Sequence, residues 1–192
     1  MDKPLLRGSK TEKNLMRAFT GESQARNRYT MFSSIAKKEG YEQISSLFLM
    51  TADNEKEHAK IFYKFIKNSP IEFSVQMPHC LGSTYDNLIC SAHGEYDEWH
   101  DIYPTFASEA EDEGFYEIAA AFRNVSLVEK HHDARFKKLA QNIQEHLVFT
   151  KAIEIVWHCR NCGYTPTSAN APEVCPVCHH PRAYFEVLCD NF

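Results

Sequence analysis

The sequence predicts a mainly α fold, a four-helix bundle with one long crossover, followed by a small thiolate-rich tail with short β-strands. Three observations predict it. Apolar residues recur at helical spacing through most of the first 145 positions. Within that region one block repeats at a constant offset of 74: Glu39-Gly40-Tyr41, Ile44, Phe48, Glu55, His58 and Phe62 match Glu113-Gly114-Phe115, Ile118, Phe122, Glu129, His132 and Phe136. Beyond residue 158, four cysteines stand as two Cys-x-x-Cys pairs.

The elements follow in order. Ser9-x-x-Glu12 has the form of a capping box and opens the first helix. Leu15, Ala18, Phe19, Glu22, Ala25, Tyr29, Phe32 and Ala36 then mark its buried stripe, and Gly40 ends it. A second helix is expected from about Tyr41 to Lys67, with Ile44, Leu47, Phe48, Glu55, His58, Phe62, Phe65 and Ile66 on one face. Residues 68–82 hold Pro70, Pro78 and Gly82 without a clear period, which reads as a crossover that lets helices two and three run parallel.

The third helix begins near Ser83 and presents Leu88, Ala92, Glu95, Glu98, Ile102 and Phe106. Pro104 removes a backbone donor and is expected to kink it. Glu22 precedes Gly40 by 18 residues, whereas Glu95 precedes Gly114 by 19; a π-bulge near Pro104 would absorb the extra residue. A fourth helix, about Phe115 to Glu145, carries Val125, Glu129, His132, Leu139 and Ile143. The expected division is 1–148 for the bundle and 149–192 for the tail. Short tail strands are expected around Ile155–His158 and Ala183–Val187, over a small core of Trp157, Tyr164, Tyr184 and Phe185.

Bulk properties exclude several classes. The 192 residues carry a net charge of −5 and no long basic tract, which argues against nucleic acid as a partner. No run of about 18 apolar residues could span a membrane. Met1 to Lys13 is polar, unlike a secretory signal, so the cytoplasm is the expected location. Seven cysteines, an odd number with paired spacing, suggest metal thiolates in a reducing compartment. Cys80, Cys90 and Cys189 are expected to be reduced thiols.

The chemistry lies in two constellations. Glu22, Glu55, His58, Glu95, Glu98, Glu129 and His132 occupy positions where helical periodicity calls for core residues. A buried carboxylate without a partner is costly, so a cation should accompany it. One carboxylate from each of two helices plus Glu-x-x-His from the other two is the pattern of carboxylate-bridged dimetal bundles. Oxygen and imidazole donors suit iron or manganese. Five carboxylates against two divalent ions leave the site at −1. One Glu-x-x-His alone would more simply be surface glutamate and core histidine; two, at equivalent places in a repeat, favour the metal reading. Glu98 exceeds the minimal pattern and is the candidate for a ligand that shifts. Tyr29 and Tyr103, about two turns after Glu22 and Glu95, are packing residues whose hydroxyls could hold site carboxylates. Glu98, Tyr29 and Tyr103 are therefore the candidate catalytic groups. Cys159, Cys162, Cys175 and Cys178 should bind one tetrahedral metal, iron or zinc, and the spacing does not choose between them.

With both constellations in view, the chain resembles the rubrerythrins over almost its full length. The likeness rests on Gly21-Glu22-Ser-Gln-Ala-Arg-Asn-Arg-Tyr29, both Glu-x-x-His pairs, Glu95-x-x-Glu98, Cys159-x-x-Cys162-Gly-Tyr164 and Cys175-Pro-x-Cys178. It implies a ferritin-like bundle holding an oxo- and carboxylate-bridged pair of irons, and a rubredoxin-like tail whose metal is iron, with zinc as a possible substitute. It further implies a peroxidase of oxidative-stress defence that reduces hydrogen peroxide to water. Electrons would come from NADH through a rubredoxin or an NAD(P)H-dependent rubredoxin reductase. The resemblance also implies a homodimer or tetramer in which one subunit's tail lies near the other's irons, and an iron that exchanges Glu98 for His58. Two rival readings are iron oxidation and storage, and a non-enzymatic metal or stress sensor whose zinc ribbon recruits a partner.

Overall fold

Helix ends and turns, more than helix interiors, determine how this chain closes on itself. A computed structural model describes residues 5–67 and 72–190. Its elements are α1 (Lys10–Lys38), α2 (Glu42–Phe65), α3 (Thr84–Asp97), a π-turn (Glu98–Ile102), α4 (Tyr103–Asp112), α5 (Tyr116–Gln144), β1 (Thr150–Cys159), β2 (Thr167–Asn170) and β3 (Phe185–Val187). At the start of α1, the Ser9 hydroxyl accepts the Glu12 N–H at 3.0 Å. The Glu12 carboxylate reaches back to the N–H of Gly8, at 2.7 Å, one residue beyond the reciprocal contact a capping box would make. Ser83 and Asp86 form the complete box at α3.

The repeat appears in space as two equivalent helical hairpins. Between α1 and α2, Gly40 has φ +84° and the Tyr41 N–H reaches the Ala36 carbonyl at 2.9 Å. Between α4 and α5, Gly114 has φ +82° and the Phe115 N–H reaches Ala110 at 2.7 Å. Both are left-handed glycine caps, a backbone conformation in which a β-carbon is strained. The glutamate before each glycine then crosses to the other hairpin. Glu39 accepts the Thr84 N–H at 2.9 Å, at the start of α3. Glu113 accepts the N–H groups of Lys10 and Thr11, at 3.0 and 2.9 Å, and the Thr11 hydroxyl at 2.7 Å. Each turn thus satisfies orphan donors at the first helix of its counterpart. Because α3 begins beside the α1–α2 turn, α2 and α3 run parallel and the connection between them spans the bundle.

The extra residue of the second hairpin lies on the N-terminal side of Pro104. The Tyr103 N–H bonds Glu98 five residues back, and Pro104 offers no N–H, so the Trp99 carbonyl loses its helical donor. The Ser126 hydroxyl supplies a replacement at 3.1 Å. The indole N–H of Trp99 also donates to Asp133 on α5, at 3.1 Å, which fixes the π-turn against that helix.

Two apolar clusters fill the bundle. One gathers Ala25, Tyr29, Phe32, Phe48, Ala92 and Phe136; the other gathers Leu15, Ala18, Phe62, Tyr103, Phe122 and Val125. Along each helix the predicted ligand positions fall between residues of the first cluster and residues of the second. Buried aromatics each remove on the order of 150–250 Å² from water, so the polar layer is sealed at both ends.

The tail is a three-stranded antiparallel sheet in the order β2-β1-β3. β1 is longer than its periodicity suggested, and β2, the polar stretch Thr-Ser-Ala-Asn, gave no strand signal at all. Trp157 and Phe185 are buried, and the Trp157 indole donates to the Ser168 carbonyl at 3.0 Å. The tail packs on the Tyr41 end of α2, where Phe149 stacks on Tyr41 with ring centroids 6.1 Å apart. No helix among the described residues is long and apolar enough to cross a membrane.

Residues 72–83 form no regular element; Pro70, part of the expected crossover, lies outside the described residues. Contrary to the expectation of free thiols, Cys80 and Cys90 are joined as a disulfide, with Cα atoms 6.4 Å apart. Paired hydrogen bonds between Gly82 and the Asn87 side chain, both 3.0 Å, fold this end of the crossover back along α3 and bring the two residues together. Cys189 is unpaired and exposed. The hairpin cross-caps predict that Glu113→Ala lowers unfolding free energy by about 1–2 kcal/mol, and Glu39→Ala by about 1 kcal/mol. Urea denaturation of the metal-loaded protein measures both.

Candidate metal centre

Six of the seven predicted bundle residues meet in the polar layer. Glu22 comes from α1, Glu55 and His58 from α2, Glu95 from α3, and Glu129 and His132 from α5; none is more than 7% exposed. Their donor atoms form two sets, Glu22–Glu55–His58–Glu129 and Glu55–Glu95–Glu129–His132. In the first set, His58 Nδ1 lies 2.8 Å from Glu129 Oε1, 3.0 Å from Glu55 Oε2 and 3.7 Å from Glu22 Oε2. In the second, His132 Nδ1 lies 2.8 Å from Glu129 Oε2, 3.2 Å from Glu55 Oε1 and 3.6 Å from Glu95 Oε2. Glu55 and Glu129 each give one oxygen to each set, as bridging carboxylates do.

These distances fit a pair of cations. Bonds of about 2.1 Å place neighbouring ligand atoms roughly 3.0–3.4 Å apart around a six- or four-coordinate ion. The orientation agrees as well. Glu22 Oε2, Glu55 Oε1, Glu95 Oε2, both Glu129 oxygens and His132 Nδ1 are buried without a properly directed hydrogen bond. Buried polar atoms are seldom left in that condition. Here they are crowded at contact distance yet aimed past one another, toward common points.

Without a cation the cluster holds protons instead. Burial raises the Glu22 carboxyl well above its ordinary value, and the neighbouring Glu129 adds to the effect. Burial and Glu55 push Glu95 up to about 8. Burial works against charge on His58 and His132, but the carboxylates outweigh it: Glu129 and Glu22 hold His58 far above its usual range, and Glu129 and Glu55 hold His132 at about 11. Glu55 is also opposed by burial, yet His132 and His58 bring it down to about 2.

Tyr29 and Tyr103 take up reciprocal posts. Tyr29, on α1, donates its hydroxyl to Glu95 on α3; Tyr103, on α4, donates to Glu22 on α1. Each tyrosine therefore orients a carboxylate of the other hairpin. Burial, reinforced by Glu95 and by Glu22 respectively, raises both phenols and keeps them protonated.

The seventh residue, Glu98, is not joined to the six. It opens the π-turn, and its Oε1 lies 3.8 Å from the point a β-carbon on Gly21 would occupy. There it lines an open groove of about 1390 Å³ together with Gly21, Arg28, Ile102 and Tyr103. Burial of the carboxyl, then Glu22 and Glu95, raise it well above the usual range, so it holds a proton beside the cluster.

Sequence reading missed Arg135. Its Nη2 donates to Thr51 Oγ1 at 2.7 Å, its Nε is buried without a partner, and its charge faces Glu55 and Glu95. Arg135 thus brings a positive charge toward two carboxylates of the second donor set. The available signal was its position one turn after His132, on the same side of α5.

In the tail, Cys159 Sγ and Cys178 Sγ are 3.8 Å apart, and Cys162 Sγ and Cys175 Sγ 3.6 Å. Four thiolates at about 2.3 Å from one tetrahedral ion stand about 3.8 Å from each other. Each pair sits on a tight knuckle: Gly163, φ +78°, donates to the Cys159 carbonyl, and His179, φ +60°, donates to Cys175. A backbone N–H from His180 draws Cys178 down to about 6.

Comparisons with known proteins agree with this anatomy. A model of the rubrerythrin family matches residues 13–140, and one of the rubrerythrin rubredoxin-like domain matches residues 157–186. Rubrerythrin of Porphyromonas gingivalis is 52% identical over 188 residues, covering 97% of this chain and 94% of its own. Rubrerythrin-1 of Clostridium acetobutylicum is 53% identical over 192 residues, covering 97% and 98%. Among solved structures, fully reduced, all-ferrous nigerythrin is 30% identical with a TM-score of 0.63, covering 98% and 94%. Bacterioferritin BfrA of Mycobacterium tuberculosis, 13% identical with a TM-score of 0.63 over 70% of this chain and 86% of that one, shares the bundle fold.

The proton-filled cluster yields a pH prediction. The folded metal-free chain holds the Glu95 proton more tightly than the unfolded chain, so this group's contribution to stability falls as pH rises from 4.5 to about 8. Calorimetry of metal-free protein should show a higher Tm at pH 5 than at pH 8, and Glu95→Gln should reduce the difference. Ferrous loading at pH 7 in weak buffer should release about three or more protons, read with an indicator dye.

Proposed function

This chain belongs to the rubrerythrin family, with a ferritin-like di-iron domain and a rubredoxin-like four-cysteine site, and from that premise we propose that it reduces hydrogen peroxide to water. One observation carries the reading: two donor sets that share Glu55 and Glu129 lie in the same chain as a four-thiolate electron-transfer site. When bound, the iron pair supplies the two electrons that reduction of the O–O bond requires. Storage of iron alone would give the thiolate tail no use.

The residues divide the remaining tasks. Glu22, Glu55, His58, Glu95, Glu129 and His132 would hold the metals, with Glu98 and His58 as alternative ligands by family likeness. Tyr29 and Tyr103 keep Glu95 and Glu22 oriented. Glu98, facing the groove beside Gly21, would pass a carboxyl proton to a peroxide oxygen when it is not holding metal. The aromatic clusters above and below exclude bulk water.

The working units proposed are residues 1–148 and 149–192, acting in the cytoplasm. Electrons would enter from a rubredoxin or an NAD(P)H-dependent rubredoxin reductase at the tail, whose Cys162 is exposed. Within one chain the tail packs beside Tyr41, 14 residues and about 20 Å of helix from Glu55. That separation favours a homodimer in which each tail serves its partner's iron pair.

Stopped-flow reoxidation of the fully reduced protein tests the reaction: peroxide should be at least about tenfold faster than oxygen, a barrier difference of about 1.4 kcal/mol. Equal rates would sink the proposal. Glu98→Gln should keep its iron and lose about 10²-fold in the peroxide step. Mixing Glu129→Ala subunits with Cys159→Ser subunits should restore peroxidase activity that neither has alone, if tails act across the dimer.

A further inference from the structure

We propose that Cys80 and Cys90 are a second redox site: a dithiol–disulfide pair, oxidised by hydrogen peroxide and reduced by a dithiol of the thioredoxin class, whose closure clamps the crossover onto α3. The cysteine inventory isolates this pair. Four of the seven cysteines belong to the tail site and Cys189 stands alone, exposed. Cys80 and Cys90 are bonded across a Cα separation of 6.4 Å, inside the span of about 4.4–6.8 Å that a disulfide bridges. Both are half-buried, reachable by a small oxidant or a reducing thiol yet held in place. Disulfides in a reducing compartment are mostly of the cycling kind.

Position gives the pair its significance. Cys90 lines the same groove as Glu98, Gly21 and Tyr103, and Met77 and Pro78 of the crossover line it too. It precedes Glu95 by five residues, about 7.5 Å of α3. Residues 72–83 have no secondary structure, and the hydrogen bonds that tie them to α3 begin only at Gly82. Closing the bridge shortens the free part of the crossover, and opening it releases the wall of the groove.

The step balances without another reactant. One thiolate attacks a peroxide oxygen, the O–O bond breaks, and a sulfenic acid and hydroxide result. The second thiolate attacks that sulfur and expels the second hydroxide, and each hydroxide takes a proton to become water. Two thiols and one peroxide give one disulfide and two waters; the sulfurs lose two electrons and the peroxide oxygens gain them. Exchange with an external dithiol reverses the oxidation.

The test uses iron-loaded, full-length protein. Samples equilibrated in glutathione buffers from fully reducing to fully oxidising are quenched in acid, alkylated and mapped by mass spectrometry. Cys80 and Cys90 should lose alkylation together and appear as one cross-linked peptide, and peroxide beyond the equivalent that the irons consume should produce the same peptide from reduced protein. In Cys80→Ser, peroxide should leave Cys90 trappable by dimedone as a sulfenic acid. Limited proteolysis within residues 72–80 should be about tenfold slower for the oxidised than for the reduced protein. A double variant, Cys80→Ala with Cys90→Ala, should be cut at the reduced rate in both conditions, with its tail absorption and iron content unchanged. The site is overturned if both cysteines stay alkylated at every buffer ratio or cross-link only between subunits. Equal cutting of oxidised and reduced protein overturns the clamp. The peroxide arm alone rests on the peroxidase reading; closure in glutathione with no peroxide reaction at the irons keeps this inference and removes the other.

Discussion

Four carboxylates and two imidazoles packed into a layer that water does not reach are the constraint on which this structure depends. A dry interior tolerates such a group only if opposite charge or protons accompany it. The donor atoms are arranged for the first solution, with Glu55 and Glu129 facing two centres each, while the metal-free cluster must adopt the second. Aromatic clusters on either side keep the layer dry, and that dryness is also what gives the half-buried Arg135 charge its reach.

The doubled architecture gives the layer its symmetry. Each hairpin sends a glutamate from its glycine turn to cap the other, and each sends a tyrosine to a carboxylate of the other. Neither hairpin can complete its helix ends or orient its ligands alone. Their equivalence breaks at one place, the π-turn at Glu98, and there the extra carboxylate stands apart from the cluster and faces the groove. A single inserted residue thus sets one carboxylate apart from the six clustered donor residues.

Much of this was legible because it repeats along the chain. The 74-residue offset marked Glu55, His58, Glu129 and His132 as a set, and the one-residue difference before Gly114 announced the π-turn, which falls just before Pro104. The cross-caps from Glu39 and Glu113 were not legible, since a glutamate beside a turn glycine looks like surface. Arg135 went unremarked for a similar reason: a cation among other cations on α5 shows its role only once Thr51 and Glu95 lie beside it. β2 was missed because three small polar residues and an alanine carry no strand period, and its pairing with β1 comes from the Cys159–Gly163 knuckle that folds the chain back. Cys80 and Cys90 read as two unrelated thiols until Gly82 and Asn87 turned the chain.

Sequence alone determined the four-helix plan, the order of the candidate ligands along the chain, the thiolate tail and the family likeness, because periodicity, spacing and residue chemistry are local properties that the linear chain carries. Only the tertiary structure decided which oxygen faces which centre, that Glu98 stands outside the six, that each tyrosine serves the opposite hairpin, and that two distant cysteines meet. Those are relations between segments far apart in the chain, set by how helix ends, turns and buried charge are satisfied together.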